Sequence, residues 1–381
     1  MAEKYFCVHG HFYQPPRENP WLEAVEREIS AAPYHDWNER ITDECYAANL
    51  AARILNGNNE ITDIVNNFAR FNFNFGPTLL SWLKAAHPEI HEAIVETDRE
   101  NTGQYHGHGP AIAQAYNHLI MPLADQRDKE TQVIWGIADF RHRFGHAPEG
   151  MWLPETAVDL ETLDIMAARG IKYTILAPHQ AVRVRAPHQP WQPLPDGSID
   201  TSRLYRCPLP SGKAINICFY HPGLSSDVAF GDVLKSGDLF TRRVIEAYTS
   251  ETNPQLLTIA ADGETYGHHH RFGEMALAYA FQKLQQSGVN VTTIGEFLAD
   301  HPPEYEVEIK ENTAWSCSHG IERWRSGCCC STGQHPGWNQ QWRQPLRRAM
   351  ELLRDRLTPL FEAETSRLLT DPWAARNDYH Q

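Results

Sequence analysis

Short apolar runs rich in β-branched and aromatic residues alternate along the chain with longer segments in which apolar residues recur every three to four positions. The short runs predict β-strands, and the longer periodic segments predict amphipathic helices. The strands are expected at 5–9, 64–68, 71–75, 149–153, 171–176, 214–219, 256–261 and 290–293. The helices are expected at 42–55, 77–86, 88–99, 131–144, 160–169, 234–249 and 272–287.

Strands that alternate with helices in this way predict parallel β-α units, and therefore an α/β fold. No GxGxxG or phosphate loop follows the first strand, which disfavours the nucleotide-binding form of a doubly wound sheet. A (β/α) barrel is therefore the expected architecture. In such barrels the reactive residues lie at the carboxyl ends of the strands.

Two segments depart from the alternating pattern. Residues 177–212 are rich in proline and glycine and predict a long loop that shapes a substrate cleft. After Pro303 the chain changes to an irregular stretch rich in Trp and Cys, followed by a helical run at 344–369. We therefore expect a catalytic barrel at 1–303 and an irregular and helical extension at 304–381. Because no closing element follows Trp373, we expect the chain to be a fragment of a longer protein.

Charge and hydropathy narrow the classes of partner. The chain has 34 Lys and Arg against 48 Asp and Glu, a net charge of -14, which disfavours binding to a phosphate backbone. The amino terminus lacks a basic segment followed by an apolar one, and no long apolar run occurs elsewhere. The sequence therefore predicts a cytoplasmic protein that binds neither nucleic acid nor membrane. It predicts no oligomeric state.

The first strand ends in the sequence HGHFYQPP at 9–16. Alternation along a strand would place His9 and His11 on the same side, with Gln14 nearby. Two imidazoles on one side could bind a metal ion or donate hydrogen bonds to sugar hydroxyls.

Two acidic residues follow later strands, in GMWLPETA at 150–157 and IAADGETYGHHH at 259–270. Glu155 is either a catalytic acid or a charge at the amino end of the helix that begins near Asp159. Asp262 is either a site acid or a helix cap, and a carboxylate that leaves a buried strand needs a partner or a role. Together they would provide the carboxyl pair that glycoside cleavage requires. We expect nearby Glu264 and partial burial to raise the pKa of Asp262.

These stretches occur in order with GQYHGHG at 103–109 and NHLIMPL at 117–123. From His9 to about Trp338 the chain resembles glycoside hydrolase family 57, an α-glucan-active group of α-amylases, 4-α-glucanotransferases and branching enzymes. The resemblance implies an incomplete (β/α)7 barrel with a helical carboxyl-terminal portion. It also implies a retaining reaction in which Glu155 is the nucleophile and Asp262 the acid/base.

The resemblance further implies an α-glucan or maltooligosaccharide substrate and a reaction that needs no cofactor or catalytic metal. The substrate-binding residues expected in this site are His9, His11, Gln14, His108, Trp152, Glu264, His268 and Trp315. The second motif, at 104–109, and the fifth, WSCSHG at 315–320, depart from the patterns of the better-known members. The chain is most similar to a less studied subgroup that carries a further carboxyl-terminal domain. Linkage specificity and the choice of acceptor stay open.

Other interpretations remain open from the sequence. His9, His11 and either Asp262 or His268 could bind a metal ion in a metal-dependent carbohydrate hydrolase or a polysaccharide deacetylase. A glucan-binding module without turnover is a further alternative, although both carboxylates are present. Separately, Cys317, His319, Cys328 and Cys330 could form a structural zinc site, but their spacing matches no standard pattern, so reduced thiols or a disulfide are favoured.

Overall fold

The computed structural model of the chain describes residues 3–195, 197–249, 253–330 and 335–380. The chain has an α/β fold whose centre is a set of parallel strands. These strands are β1 (Lys4–Phe12), β2 (Asn72–Phe75), β3 (Ala113–Gln114), β4 (Met151–Trp152), β5 (Tyr173–Leu176), β6 (Ala214–Phe219) and β7 (Gln255–Asp262).

Adjacent strands in this series are neighbours in space. Strand β1 pairs in parallel with both β2 and β7, and β3–β4 and β5–β6 are also parallel pairs. Parallel bridges join β2 to β3 through Phe73 and Ala111, and β4 to β5 through Gly150 and Tyr173. The backbone N–H of His221, just after β6, donates to Thr258 O of β7 at 2.7 Å. The carboxyl ends of these parallel strands therefore lie on one face of the fold.

The helices connect successive strands or extend the chain beyond them. They are α1 (Pro77–Ala86), α2 (Pro88–Thr102), α3 (Gln126–Phe144), α4 (Leu160–Ala168), α5 (Pro222–Phe230), α6 (Gly237–Ala247), α7 (Gly273–Gln286), α8 (Ile294–Asp300), α9 (Arg343–Thr365) and α10 (Pro372–Asn377). One continuous helical segment consists of Trp37–Ile41, a π-helical stretch at Thr42–Tyr46 and Ala47–Leu50, and a single helical turn lies at Glu322–Arg325. Local sequence sets several ends: Asp125 caps α3 by accepting from Asp128 N, and Gly145 ends it at φ 78°.

The expected long loop at 177–212 is in part regular structure. Its strands Ala181–Arg185, Gln192–Pro193 and Leu204–Pro208 join a sheet with Glu306–Ile309, β6 and β5. Leu204–Pro208 is antiparallel to β6, and Ala181–Arg185 is antiparallel to Glu306–Ile309. The glycines and most of the prolines lie in the connections between these strands, and Pro193 and Pro208 end two of the strands, which is why the periodicity of the segment is weak.

The predictions for 42–55 and 64–68 are partly wrong. The helical segment ends at Leu50, and Ala52–Leu55 is a strand antiparallel to Ile61–Val65. The connecting turn contains Asn56-Gly57-Asn58-Asn59, in which Asn56 Oδ1 accepts from the backbone N–H groups of Asn58 and Glu60. This turn chemistry favours a hairpin and outweighs the helical periodicity of the preceding residues.

A cluster of phenylalanines fills the core beneath the carboxyl ends of β1 and β7. The rings of Phe12 and Phe75 stack with centroids 4.5 Å apart, and Phe68 and Phe71 pack edge-on against Phe12 at 5.3 and 5.8 Å. A Cβ atom on Gly263 would lie 2.3 Å from the Phe12 ring, so this position requires glycine. The phenylalanine cluster thereby fixes the path of the chain directly after Asp262.

The carboxyl-terminal segment packs along α3. Trp135 Nε1 donates to Asn377 O at 3.1 Å, and Arg127 forms an ion pair with Glu362 at 2.7 Å. Residues 331–334 of the segment rich in Trp and Cys lie outside the described residues. Among the helices that the structure describes, none combines the length and apolar character needed to cross a bilayer.

Candidate active site

The candidate site lies at the carboxyl ends of the parallel strands. Its solvent-accessible side chains include Tyr13 after β1, Glu155 after β4, Tyr220 after β6 and Asp262 at the end of β7. Trp315, from the segment beyond the last strand, joins them. The structure therefore brings the predicted carboxyl pair to one face, together with aromatic side chains that present apolar ring faces.

Glu155 lies in a strained turn. Its backbone has φ 58° and ψ 17°, and the next residue, Thr156, also has a positive φ of 48°. The left-handed region costs an L-residue roughly 1–2 kcal/mol. Buried Gln180 holds this turn, because its Nε2 donates to Thr156 O at 2.9 Å and its Oε1 accepts from Thr156 Oγ1 at 3.0 Å. The turn projects the Glu155 side chain from the strand end in a fixed direction.

Trp315 contacts Glu155 twice. Trp315 Nε1 donates to Glu155 Oε2 at 3.1 Å, and the backbone N–H of Trp315 donates to Glu155 O at 3.0 Å. The alternative role of Glu155 as a helix-end charge does not hold, because Asp159 caps α4 by accepting from Thr162 N at 2.9 Å. Glu155 is thus a partly buried carboxylate with an oriented hydrogen-bond donor, outside the helix.

Asp262 is exposed to solvent, yet protein surrounds it on several sides. This burial within the site, and secondly the negative charge of Glu155, raise the pKa of Asp262 to about 6. Its side chain makes no capping hydrogen bond to the turn that follows, so the capping alternative does not hold. The sequence had suggested Glu264 as the neighbour that raises the pKa of Asp262. The structure shows that this neighbour is Glu155 instead.

Glu264 is buried beside the site. Its Oε1 accepts hydrogen bonds from Tyr46 Oη at 2.7 Å, from Tyr13 N at 3.1 Å and from Gln14 Nε2 at 3.4 Å. Burial, opposed by the Tyr46 hydrogen bond and assisted by the nearby Asp262, raises the pKa of Glu264 to about 7. Glu264 and Gln14 therefore join the loops that follow β1 and β7.

His9 and His11 form a hydrogen-bonded chain with Asn74. His9 Nε2 donates to Asn74 Oδ1 at 3.1 Å, and Asn74 Nδ2 donates to His11 Nδ1 at 2.9 Å. His11 Nε2 then lies 3.0 Å from Nε2 of His118 and can donate to it. Burial lowers the pKa of His9 to about 3 and, with the nearby His118 and His9, holds the pKa of His11 well below its usual range. These imidazoles are therefore neutral, with tautomers set by their partners.

The chain of imidazoles leads to His118, which the sequence had placed in a motif without assigning it a role. The His118 ring stacks on Tyr13, with centroids 3.8 Å apart, and both side chains are partly exposed. Burial lowers the pKa of His118, while the Glu155 carboxylate opposes this shift. The backbone of His118 has a positive φ of 52°, which is uncommon among residues other than glycine although histidine is enriched there, and no feature of the sequence predicts it.

The remaining predicted residues lie in different surroundings. Trp152 is fully buried, and its indole stacks on His9 and His11 with centroids 4.8 and 5.1 Å away. His108 hydrogen-bonds Glu149 at 2.7 Å, at the amino end of β4 and thus opposite the end that carries Glu155. His268 hydrogen-bonds Glu44 at 2.5 Å and packs against Trp37. Both of these partners lie in the segment that follows β1. Trp152 supports the site from behind, and His108 lies apart from it.

Solved structures share this fold. An exo-type maltose-forming amylase from Pyrococcus sp. ST04 superposes with a TM-score of 0.74 at 16% identity, covering 99% of this chain and 66% of the other. A branching enzyme from Pyrococcus horikoshii superposes with a TM-score of 0.58 at 16% identity, covering 82% and 73%.

Sequence comparison extends the similarity. Alpha-amylase 1 of Dictyoglomus thermophilum is 27% identical over 106 residues, which are 28% of this chain and 14% of that protein. This chain thus spans less than two thirds of the length of that amylase, and of the maltose-forming one. Residues 338–381 match a domain of unknown function, DUF3536. Residues 5–310 match glycosyl hydrolase family 57, and because this match includes most of the chain, the protein belongs to that family.

Proposed function

We propose that this protein cleaves or transfers α-1,4-linked glucans by a retaining double displacement, with Glu155 as the nucleophile and Asp262 as the acid/base. The observation that carries the proposal is the pair itself. Two carboxyl groups at the ends of β4 and β7 share one face, and the charge of Glu155 contributes to a pKa of about 6 for Asp262. A raised pKa lets Asp262 carry a proton at a higher pH than an ordinary aspartate, which suits the role of the acid beside a carboxylate nucleophile.

In the first step, Glu155 attacks the anomeric carbon while protonated Asp262 donates its proton to the departing glycosidic oxygen. The C–O bond to the leaving glucan breaks and a β-glycosyl ester to Glu155 forms. In the second step, ionised Asp262 removes a proton from water or from a sugar hydroxyl, which attacks the same carbon and releases Glu155. The net configuration is retained, and the second nucleophile decides between hydrolysis and transfer.

The surrounding residues support these roles. Trp315 orients the attacking carboxylate through Nε1, and Gln180 holds the strained turn that projects it. Tyr13, Tyr220 and His118 provide partly exposed rings for substrate contacts. His9 and His11 use ring nitrogens to hold Asn74 and His118 and lie flat on Trp152, which favours a role in shaping the site over metal ligation.

We further infer that β1 to β7 form the incomplete (β/α)7 barrel of this family. The parallel contacts that run from β1 through β2 to β7 and back to β1 support this arrangement. The division into a catalytic part at 1–303 and an extension at 304–381 remains a proposal. Trp315 in that extension reaches Glu155, so the extension would complete the site.

Product analysis tests the reaction class. The purified chain is incubated with maltoheptaose, and the products are separated by chromatography over time. Shorter maltooligosaccharides alone would indicate hydrolysis, a ladder that includes longer chains would indicate transfer, and new α-1,6 linkages would indicate branching. No change in the substrate under any condition would contradict the proposal.

Azide rescue tests the residue roles. Glu155→Ala with an activated α-glucosyl donor and azide is expected to give the β-glucosyl azide, because azide replaces the missing nucleophile in a single displacement. Asp262→Ala is expected to give the α-glucosyl azide, because azide attacks the glycosyl ester without needing a base. Glu92→Gln, an exposed carboxylate on α2, provides the control and should keep full activity. Unchanged maltoheptaose turnover in Glu155→Gln or Asp262→Asn would contradict the assignment.

A further inference from the structure

We propose that Cys317, His319, Cys328 and Cys330 bind a structural zinc ion that fixes Trp315 beside Glu155. The four side chains lie in the segment rich in Trp and Cys beyond the last strand. Within the described part of the chain, they form a group whose Sγ and imidazole nitrogen atoms all lie within 4.8 Å of one another. The sequence spacing had favoured free thiols or a disulfide, whereas the geometry favours a metal site.

The distances among Cys317, His319 and Cys330 match three corners of a tetrahedron around zinc, and Cys328 lies within 4.8 Å of all three. With Zn–S of about 2.3 Å and Zn–N of about 2.0–2.1 Å, tetrahedral ligands stand roughly 3.8 Å apart for two sulfurs and roughly 3.6 Å apart for sulfur and nitrogen. Cys317 Sγ lies 3.7 Å from Cys330 Sγ and 3.7 Å from His319 Nδ1, and Cys330 Sγ lies 3.5 Å from the same nitrogen. A disulfide requires sulfurs about 2.05 Å apart, so Cys317 and Cys330 are not joined in this arrangement.

The local backbone brings the ligands together from two directions. Cys317 and His319 lie in a turn closed by Gly320, whose N–H donates to Cys317 O at 2.9 Å and whose φ is 60°. A Cβ atom on Gly320 would lie 2.2 Å from Asn312 O, so this turn requires glycine. Cys328 and Cys330 approach from the chain that leads towards α9. The adjacent Cys329 has a φ of 61° and is exposed, outside the group.

The donor set suits a closed site. Three thiolates and one neutral imidazole fill the tetrahedral positions of zinc and leave no position for a substrate or a reactive water. Binding would release the three thiol protons to solvent and leave a net charge of about -1 on the centre. Arg343 at the start of α9 lies beside Cys328, with Nη1 3.8 Å from its Sγ, and can offset that charge. Cys317 and Cys328 are buried, which protects the ion.

The position of this centre connects it to the candidate active site. Cys317 follows Trp315 by two residues, and a β-bridge joins Cys317 to Ala314. Trp315 in turn donates to Glu155 through both its side chain and its backbone. A zinc ion would tie this short segment to the chain at Cys328 and Cys330 and hold Trp315 in place. The ion would therefore stabilise the site without taking part in the reaction.

Metal content is the direct test. The chain is expressed in zinc-containing medium, purified under reducing conditions, and analysed for bound metals by mass spectrometry. We expect one zinc ion per chain in the wild type and in Cys329→Ser, the matched control from the same run of cysteines. We expect Cys317→Ser and Cys330→Ser to lose the ion. Cobalt exchanged into the wild type should show the visible bands of a tetrahedral site and thiolate-to-cobalt charge transfer, which the Ser variants should lack.

The outcomes distinguish the alternatives. A metal-free wild type whose cysteines all react with a thiol reagent, before and after addition of zinc, would overturn the proposal. A Cys317–Cys330 disulfide found by peptide mapping under the same reducing conditions would also overturn it, as would equal loss of zinc in Cys329→Ser. Because metal stoichiometry and the cobalt spectrum are read without substrate, their failure would leave the proposed glucan reaction untouched. Conversely, an inactive but zinc-loaded chain would contradict only the proposed function.

Discussion

Replacing Glu155 by glycine and, separately, by alanine tests the left-handed backbone at this position. Both variants lose the carboxylate and its hydrogen bond from Trp315, so their difference reports the backbone alone. The conformation at φ 58° destabilises the folded state by roughly 1–2 kcal/mol for an L-residue such as alanine, but not for glycine. Glycine also costs about 0.4–1 kcal/mol through the extra freedom of the unfolded chain.

The same two substitutions, to glycine and to alanine, are made at Glu92. Subtracting the difference at 92 from the difference at 155 removes the contribution of the unfolded chain. Glu92 lies exposed within helix α2, where glycine is expected to be about 1 kcal/mol less stable than alanine. At Glu155, glycine should equal or exceed alanine in stability. The change from alanine to glycine should therefore be roughly 1–2 kcal/mol more favourable at 155 than at 92, because the αL cost remains after subtraction.

The assay is thermal unfolding of the four variants at one scan rate, supported by urea titration. For a chain of 381 residues, an unfolding entropy of about 2.1 cal/mol/K per residue converts each 1 kcal/mol into roughly 1.2 °C of Tm. The expected difference between the two sites is thus about 1–2.5 °C. If glycine lowers Tm relative to alanine by the same amount at both sites, the strained turn at Glu155 is refuted.

Further predictions concern Trp315 and two titrating groups. Trp315→Phe removes the hydrogen bond to the Glu155 carboxylate, which is worth about 1.5–3 kcal/mol. This variant should lower kcat about 10- to 100-fold with little change in KM. An unchanged kcat would contradict the proposal that Trp315 orients Glu155. Because Asp262 acts as an acid with a pKa of about 6, kcat/KM should fall up to about tenfold per pH unit above that value, and Asp262→Asn assayed on an activated donor should lack this limb. The pKa of His9 is about 6.5 in the unfolded chain and about 3 in the folded protein. Between these two pH values the unfolded chain binds a proton that the folded protein does not. The free energy of unfolding should therefore fall by up to about 1.4 kcal/mol for each pH unit of acidification in this range. In urea titrations, His9→Gln should reduce this slope, and an unchanged slope would refute the buried neutral imidazole.

Prediction from sequence succeeds where local pattern and position along a strand are sufficient. Residues 256–261 read as a buried strand, and the structure has β7 at Gln255–Asp262 with its terminal acid accessible to solvent. The periodicity at 42–55 misleads, because the hairpin at Ala52–Leu55 depends on pairing with Ile61–Val65. Pairing between two strands depends on both segments. The helical periodicity of residues 42–55 therefore does not prevent Ala52–Leu55 from pairing as a strand.

What the sequence alone determined here is the α/β class, the family and the placement of Glu155 and Asp262 at strand ends. Those features follow from hydrophobic period and from ordered short motifs, which are local properties of the chain. Only the tertiary structure decided that Glu155 raises the pKa of Asp262, that Trp152 is buried behind the histidines and that His108 lies at the opposite end of β4. It also brought the ligand atoms of Cys317, His319, Cys328 and Cys330 within 4.8 Å of one another. Such facts depend on distances between residues far apart in the chain, which packing fixes and local pattern does not encode.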